Sequence, residues 1–323
     1  MTSHSPPPAA VTATGLRKSF GDHVVLDGID LEIPAGTIFS LLGPNGAGKT
    51  TVVKILSTLI GADSGRARIL GHDLVEEPDA VRAAIGVTGQ YAAVDGLLTG
   101  EENLMLMGNL HRLGRRRARR RTGELLERFD LVGAARKPAS TYSGGMRRRL
   151  DLAMTLVGEP RLIFLDEPTT GLDPRSRRGM WDITRELVAD GVTVFLTTQY
   201  LEEADRLADR IAVLDNGGIV AQGTAEELKR RIPGGHIRLR FGGTGALEAA
   251  ARILGGARDD DALALQVPGD GGVESLRALL ARVDAESIDV EELSVHTPDL
   301  DDVFLALTGH SSSADNEPKA ARR

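Results

Sequence analysis

Apolar runs alternate with helix-like stretches along most of this 323-residue chain. Three short runs are almost continuously apolar, which is typical of strands buried on both faces. They are IFSLL at residues 38–42, RLIFLD at 161–166 and VTVFLTT at 192–198, each followed by a helix-like stretch. Repeated strand and helix units predict an α/β fold with a parallel sheet, whose ligands bind at the carboxyl ends of the strands.

Two other patterns occur, one before the first run and one between the first and second runs. Before the first run, LRKSF and VVLDGIDLEI surround a turn signal at Gly21 and Asp22, which predicts an antiparallel hairpin. Between the first and second runs, residues 99–131 are rich in Leu, Arg and Glu without a strand signal, which predicts a helical insertion.

The pattern also predicts where domains begin and end. Residues 1–10 are rich in Pro and Ala and are predicted to be disordered, as is the polar tail at 310–323. Residues 11–232 form the main domain, with a helical subdomain at about 91–160. After a Pro-Gly-Gly break, residues 236–309 form a small α+β domain, whose last helix has start signals at Thr297 and Pro298 and an end signal at Gly309.

Composition limits the function classes. A net charge of −7 argues against a nucleic-acid partner, because phosphate binding favours a basic surface. Zero cysteines exclude disulfides and thiolate chemistry. No run approaches the roughly 20 apolar residues of a membrane span, and no signal peptide is recognisable, so the chain is expected in the cytosol unless a partner holds it at a membrane. The basic run at residues 115–121 is interpreted as a solvated helix face, with an anion or partner site as the alternative.

The strongest motif is GPNGAGKT at residues 43–50, which fits the phosphate-binding loop without a gap. Its glycines let backbone N–H groups surround phosphate oxygens, Lys49 can reach the β- and γ-phosphates, and the Thr50 hydroxyl can ligate Mg²⁺. A buried strand precedes the loop and a helix follows it, as this motif requires. The predicted ATP-binding residues are Gly43, Pro44, Asn45, Gly46, Ala47, Gly48, Lys49, Thr50 and Thr51.

Two carboxylates end the second apolar run. Asp166 can hold the Mg²⁺ shell, and Glu167 beside it can polarise an attacking water. Together with the phosphate loop, the pair predicts hydrolysis of a nucleoside triphosphate.

A third motif indicates which kind of phosphate-loop enzyme this is. Ser143, Gly144 and Gly145 open a helix in YSGGMRRRLDLAMTL, where free N–H groups can meet an anion, although an ordinary helix cap is the alternative. With these ordered motifs, residues 11–232 resemble the ATP-binding cassette family of transporter ATPases. The resemblance implies a phosphate-loop ATPase fold with an antiparallel β subdomain and a helical subdomain. The small C-terminal α+β domain lies outside the part of the chain that this resemblance covers.

The resemblance also implies partners and site roles. Two copies of the chain pair head to tail around two ATP molecules, so that the Ser143, Gly144 and Gly145 signature contacts ATP held by the other copy. Gln90 matches the glutamine that senses Mg²⁺ and the attacking water, and Asp173 in TTGLDP matches the aspartate that communicates across the dimer. Phe20 occupies the place of the aromatic that stacks on adenine, while a core role is the alternative.

Gln199 departs from the family pattern. This position usually carries a histidine that contacts the γ-phosphate. Glutamine keeps an amide donor but has no titratable proton. It can therefore retain the phosphate hydrogen bond without acid or base chemistry, and Glu167 remains the evident general base; an ordinary polar turn is the alternative.

The signature departs as well, because Tyr142 and Met146 flank it where leucine and glutamine are usual. This form, with the closing LDDVFLALTG, is similar to the branch containing daunorubicin/doxorubicin-resistance ATP-binding subunits. That similarity implies an ATPase at the cytoplasmic face of the cell membrane, coupled to a separate multi-spanning permease that exports drugs or antibiotics. The alternatives are a cassette protein that acts on ribosomes or DNA, and a regulatory cassette.

Overall fold

The structure is a computed structural model that describes residues 8–90, 92–231, 235–269, 272–296 and 298–309. The chain divides into two compact units between Ala225 and Glu226. The sequence places the domain boundary slightly later, at residues 232–236, of which 232–234 lie outside the described residues, and that boundary stays a prediction. The predicted disorder of residues 310–323 also lies outside them.

Fourteen strands occur in the described residues and form three sheets. They are β1 (Ala9–Phe20), β2 (His23–Pro34), β3 (Ile38–Leu42), β4 (Ser64–Ile69), β5 (His72–Asp73), β6 (Ile85–Thr88), β7 (Leu162–Asp166), β8 (Thr193–Thr198), β9 (Arg210–Asp215), β10 (Gly218–Gly223), β11 (His236–Arg240), β12 (Ala257–Asp259), β13 (Ala264–Pro268) and β14 (Glu292–His296).

Eleven α-helices are found in the same described ranges. They are α1 (Lys49–Leu56), α2 (Pro78–Ala84), α3 (Gly100–Leu110), α4 (Arg115–Arg128), α5 (Gly144–Thr155), α6 (Pro174–Ala189), α7 (Leu201–Leu207), α8 (Ala225–Lys229), α9 (Thr244–Leu254), α10 (Val273–Ala285) and α11 (Leu300–Thr308).

The first sheet is antiparallel, in the order β2-β1-β4-β5. Strands β1 and β2 form the predicted hairpin, with Phe20 opposite His23 across the turn. The prediction that residues 1–10 are disordered is wrong for Ala9 and Ala10, because β1 already pairs there. Ala9 lies opposite Pro34, and the Ala10 carbonyl accepts a hydrogen bond from Leu70 N. Residues 1–7 lie outside the described part of the chain.

The second sheet has the order β10-β9-β3-β8-β7-β6 and contains the three predicted buried strands. Strands β3, β7 and β8 are buried along their whole length and pair in parallel with their neighbours, which confirms the α/β fold class. Alternate side chains leave the sheet on opposite faces. Phe164 packs in a core with apolar residues of the antiparallel sheet and α1, whereas Leu165 packs with apolar residues of α4, α5 and α6.

The basic run at residues 115–121 opens α4. Its arginines are exposed as far as Arg120, and Arg117 pairs with Glu159 at 2.7 Å, as expected for a solvated helix face.

The second unit contains an antiparallel sheet in the order β12-β13-β11-β14. Its core includes Ile237 and Leu239 of β11 and Leu247 of α9. Helix α11 is capped by Asp299, whose carboxylate accepts from Asp302 N, so Pro298 precedes the helix instead of entering its first turn. Thr297 lies outside the described residues, and Gly309 ends the helix with φ of +68° as predicted.

Candidate functional site

Three parallel strands bring the predicted catalytic segments to one edge of the second sheet. Strand β8 lies between β3, which leads into the phosphate loop, and β7, which ends at Asp166. In register, Leu42 lies beside Thr198, and Asp166 lies beside Thr197. Gln199 follows β8 directly. The loop, the carboxylates and this glutamine therefore leave adjacent strand ends.

The phosphate loop is held closely against its surroundings. Gly43 N donates to Thr198 O at 3.3 Å, which ties the loop to the end of β8. A Cβ added to Gly43 would lie 2.4 Å from the backbone oxygen of Leu214. Gly48 caps α1 with φ of +108°, and a Cβ there would lie 2.8 Å from Leu26 Cδ2. Both positions therefore exclude any larger residue.

Lys49 is buried at the base of this loop, with 4% of its side chain exposed. Its Nζ donates to the carbonyl oxygens of Gly43 at 2.8 Å and Pro44 at 3.0 Å. It also lies 3.4 Å from Glu167 Oε1. Burial lowers the pKa of Lys49, and the neighbouring carboxylates of Glu167 and Asp166 oppose that shift. Removing one partner of such a buried pair costs about 3–5 kcal/mol.

Thr197 organises the two carboxylates. Its hydroxyl donates to Asp166 Oδ1 at 2.5 Å and accepts from Glu167 N at 3.1 Å. Glu167 has a left-handed backbone, with φ of +48°, a conformation that costs a non-glycine residue roughly 1–3 kcal/mol. The two bonds from Glu167 N to Thr197, through the hydroxyl and the backbone carbonyl, hold this conformation. The strained turn fixes the direction in which the Glu167 side chain leaves the sheet.

Gln90 and Gln199 approach this centre differently. Gln90 follows β6, is exposed, and places Nε2 3.5 Å from Glu167 Oε2, which also accepts from the Thr170 hydroxyl at 3.3 Å. Gln199 is half-buried, and its Oε1 is buried without a hydrogen-bond partner in the described structure. A buried amide oxygen without a partner is energetically costly, so the Gln199 side chain has an acceptor still available for a hydrogen bond.

The signature lies at the start of α5. The Ser143 hydroxyl accepts from Met146 N at 3.2 Å, so the helix-cap geometry is present. Gly144 is exposed, whereas a Cβ at Gly145 would lie 2.5 Å from Ser176 Oγ. Within the described residues, the signature and the phosphate loop of one chain share no hydrogen bond or ion pair.

Asp173 caps α6 beside the signature. Its Oδ1 accepts from the backbone of Arg175 and Ser176 at 3.0 Å, and its Oδ2 accepts from Ser176 Oγ at 2.6 Å. The hydrogen bonds from Ser176 lower the pKa of Asp173. Asp173 therefore has a structural role in the single chain, whatever it does in a dimer.

Phe20 ends β1 and is 52% exposed, so the core alternative is wrong for this aromatic. The Lys18 ammonium lies 5.5 Å from its ring centroid. The ring therefore lies at the surface beside a cation, and its role in stacking on adenine stays a prediction.

The structure thus brings Lys49, Asp166, Glu167 and Gln90 into one cluster, with Gln199 on the neighbouring strand end. It places the signature and Asp173 together elsewhere on the chain. The sequence interpretation missed Thr197 and Thr170 as site residues. Thr197 had a signal, because it is polar at the end of an otherwise apolar buried strand.

Comparisons with known proteins identify the family of this chain. A family model described as ABC transporter matches residues 26–170. The daunorubicin resistance ATP-binding protein DrrA3 of Streptomyces coeruleorubidus is 52% identical over 93% of this chain and 96% of its own length. The chain belongs to the ABC transporter family.

Other relatives extend this family assignment. The daunorubicin/doxorubicin resistance ATP-binding protein DrrA of Streptomyces peucetius is 48% identical over 98% of this chain and 97% of its own. The linearmycin resistance ATP-binding protein LnrL of Bacillus subtilis is 35% identical over 93% and 98%. A solved ATP-binding subunit of an ABC transporter matches with a TM-score of 0.62 at 28% identity, covering 69% of this chain and 92% of its own.

This ABC protein therefore has the phosphate-loop ATPase fold that the motifs predicted, and its relatives support ATP hydrolysis. None of the helices in its described segments is both long and apolar enough to cross a membrane.

Proposed function

We propose that this chain is the ATP-hydrolysing subunit of a membrane exporter of drugs or antibiotics, acting as a head-to-tail dimer with a separate permease. One observation carries the enzymatic part of the proposal. Lys49, Glu167 and Gln90 converge at one sheet edge, where Lys49 and Gln90 face opposite oxygens of the Glu167 carboxylate. Such a cluster beside a phosphate loop suits phosphoryl transfer to water.

In this proposal, residues 43–50 and Thr51 bind the phosphates of ATP, and Phe20 stacks on the adenine. Glu167 is the general base that accepts a proton from the attacking water, in a position held by its left-handed backbone and by Thr197. Lys49 stabilises negative charge on the phosphates, because its Nζ lies at the base of the loop. Gln199 offers its amide to the γ-phosphate.

Thr50, Gln90 and Asp166 would hold Mg²⁺. Their hydroxyl, amide and carboxylate oxygens fit this hard cation, which commonly takes one or two protein carboxylates and completes its shell with phosphate and water. When bound, the ion neutralises charge on the phosphates. Thr197 keeps Asp166 oriented through a hydroxyl hydrogen bond and so supports that ligand set.

The exposure of the signature supports the proposed dimer. Ser143 and Gly144 are exposed, and their helix N-terminus offers N–H groups to an anion that the same chain does not bring to them. In a head-to-tail pair, each signature would meet the ATP of the other copy, and Asp173 beside it would face the interface.

The exporter role rests on the relatives. Two of them are named for daunorubicin resistance and one for linearmycin resistance, and each aligns with this chain over at least 96% of its own length. The proposed location is accordingly the cytoplasmic face of the cell membrane, where a multi-spanning permease would hold the chain.

Glu167→Gln tests the enzymatic part. We expect hydrolysis to fall about 10²- to 10⁴-fold, the usual contribution of a general base, while ATP binding persists and ATP drives dimer formation. The measurements are phosphate release and size-exclusion chromatography coupled to light scattering. Glu159→Gln is a matched control, because Glu159 also pairs with a basic residue and has a left-handed backbone, with φ of +55°, but lies outside the site.

Normal hydrolysis in Glu167→Gln would refute the catalytic assignment, and a strictly monomeric Glu167→Gln with saturating MgATP would refute the dimer. For the exporter, the chain should copurify from membranes with a multi-spanning protein, and cells that express both should retain less daunorubicin. Copurification with ribosomes or DNA instead would favour the other class of cassette protein.

A further inference from the structure

Arg148 is a buried arginine on the signature helix α5, three residues after Gly145. Only 7% of its side chain is exposed, and its partner Asp151, one turn later, is 4% exposed. Their charged groups lie 3.2 Å apart. Burial lowers the pKa of Arg148 and raises that of Asp151, so the site opposes both charges. A buried ion pair of this kind often contributes little net stability, so stability alone does not explain why this pair is buried here.

The guanidinium of Arg148 binds backbone carbonyls in two catalytic segments. Its Nε donates to Pro168 O at 2.8 Å, and its Nη2 donates to Asp166 O at 3.2 Å. These two carbonyls flank Glu167. Its Nη1 donates to Gly89 O at 2.7 Å, immediately before Gln90.

Asp151 adds a second contact to the segment that contains Gln90. Its Oδ1 accepts from Ala93 N at 2.9 Å, while its Oδ2 pairs with Arg148. The two side chains therefore hold the chain on both sides of Gln90, as Arg148 does on both sides of Glu167. A helix rises about 1.5 Å per residue, so Arg148 lies about 4.5 Å along the axis from Gly145.

We propose that Arg148 and Asp151 are positioning residues that hold the signature in register with Glu167 and Gln90 of the same chain. The inference rests on the proposed dimer, in which one chain contributes Glu167 to one ATP site and its signature to the other. A planar guanidinium contacts three carbonyls at fixed angles, whereas an ammonium is a single point charge. A displacement of Gln90 or Glu167 is therefore transmitted through Arg148 to the start of α5, and the two sites respond together.

The experiment compares Arg148→Lys, Arg148→Met and Asp151→Asn with Arg149→Met. Arg149 is a matched control because it is on the same helix and binds a carbonyl, Phe129 O, and a carboxylate, Asp130, away from the catalytic segments. Each variant is measured for ATP affinity as a monomer, for kcat and KM, and for ATP-driven dimerisation in a Glu167→Gln background. Thermal unfolding separates loss of folded protein from loss of positioning.

We expect both Arg148 variants to lower kcat about ten- to a hundredfold, since a displacement of about 1 Å at a reacting centre has this effect. Monomer affinity for ATP should stay within about twofold, because the phosphate loop does not contact Arg148, and dimerisation should weaken. Asp151→Asn keeps an acceptor for Ala93 N, so its kcat should fall less.

The inference is overturned if Arg148→Lys keeps kcat and dimerisation at the level of Arg149→Met. If Arg148→Met does not fold, Arg148→Lys and Asp151→Asn decide the matter. If Glu167→Gln with Arg148 intact fails to dimerise, the proposed dimer has failed. If it dimerises and the Arg148 variants do so equally well, only the positioning role has failed.

Discussion

Two helix N-termini in this chain are suited to phosphate, and their surroundings differ sharply. Helix α1 begins in a loop that packs against backbone on two sides, with a buried lysine bound to the loop carbonyls. Helix α5 begins at an exposed serine and glycine, with only a local cap. The first site is formed within one chain, whereas the second presents its donors outward. This contrast is what the proposed dimer requires, because each chain would then contribute the two helix N-termini to different ATP sites.

We call the phosphate loop with Lys49 and the adjoining strand ends the α1 side, and the signature at the start of α5 the α5 side. Lys49→Ala disrupts the α1 side and should have the largest effect on activity. We expect hydrolysis to fall by at least about a hundredfold, because a positioned cation at the phosphates is lost. The loop should also loosen, since Gly43 O and Pro44 O lose their donor and Glu167 loses its cation. Phosphate release and ATP affinity measure both effects.

Lys54→Ala is the control for Lys49→Ala, because Lys54 is exposed on the same helix. Full activity in Lys49→Ala would show that the contacts of Lys49 with the loop are not used for hydrolysis, and a regulatory cassette would become the better interpretation.

Gly144→Ala tests the α5 side with an intermediate effect. The nearest atom to an added Cβ is Leu172 Cδ2 at 3.9 Å, so the single chain has room for alanine, which also favours a helix. Unfolding temperature and monomer ATP affinity should not fall. If Gly144 approaches a partner's ATP, however, kcat and ATP-driven dimerisation should drop about tenfold, the effect of about 1.4 kcal/mol of lost contact.

Gly145→Ala provides the comparison within the same motif. Its Cβ would meet Ser176 Oγ at 2.5 Å, so this variant should lower the unfolding temperature of the monomer as well as activity. A Gly144→Ala protein with normal dimerisation and turnover would show that the exposed signature is only a helix cap.

Some features of these two sites can be predicted from the sequence, and others depend on tertiary structure. Continuous apolar runs identify the buried strands, and the glycine spacing of residues 43–50 identifies the phosphate loop. In contrast, Arg147, Arg148 and Arg149 are identical in type and adjacent, and only the register of α5 decides that Arg148 is buried.

Backbone conformation also cannot be predicted from residue type alone. Nothing in the residue type of Glu167 indicates a left-handed φ of +48°, since that angle arises from hydrogen bonds to Thr197 on another strand. Likewise, Asp173 could be predicted to cap α6 because a proline follows it, but its bond to Ser176, which packs on Gly145, depends on tertiary contact.

Gln199 lies on the α1 side and should give the smallest effect. Gln199→Ala removes the hydrogen bond that an uncharged amide would donate to the γ-phosphate, so we expect kcat to fall about tenfold with ATP affinity nearly unchanged. The native protein should show little change in activity between pH 6 and pH 8 from this position, since glutamine does not titrate. In Gln199→His, an imidazole would titrate near its ordinary pKa of about 6.5 and introduce such a change.

The direction of that pH dependence distinguishes two roles for residue 199. If its task is to donate a hydrogen bond to the γ-phosphate, Gln199→His should gain activity as the pH falls through the histidine pKa, because protonation adds a donor and a positive charge. If a neutral imidazole instead assists Glu167 in accepting a proton, activity should rise with pH. Measuring kcat at constant ionic strength across this range, with native protein alongside, separates them. Normal turnover in Gln199→Ala would mean that the buried amide oxygen belongs to a polar turn, and that Lys49 and Glu167 suffice on the α1 side.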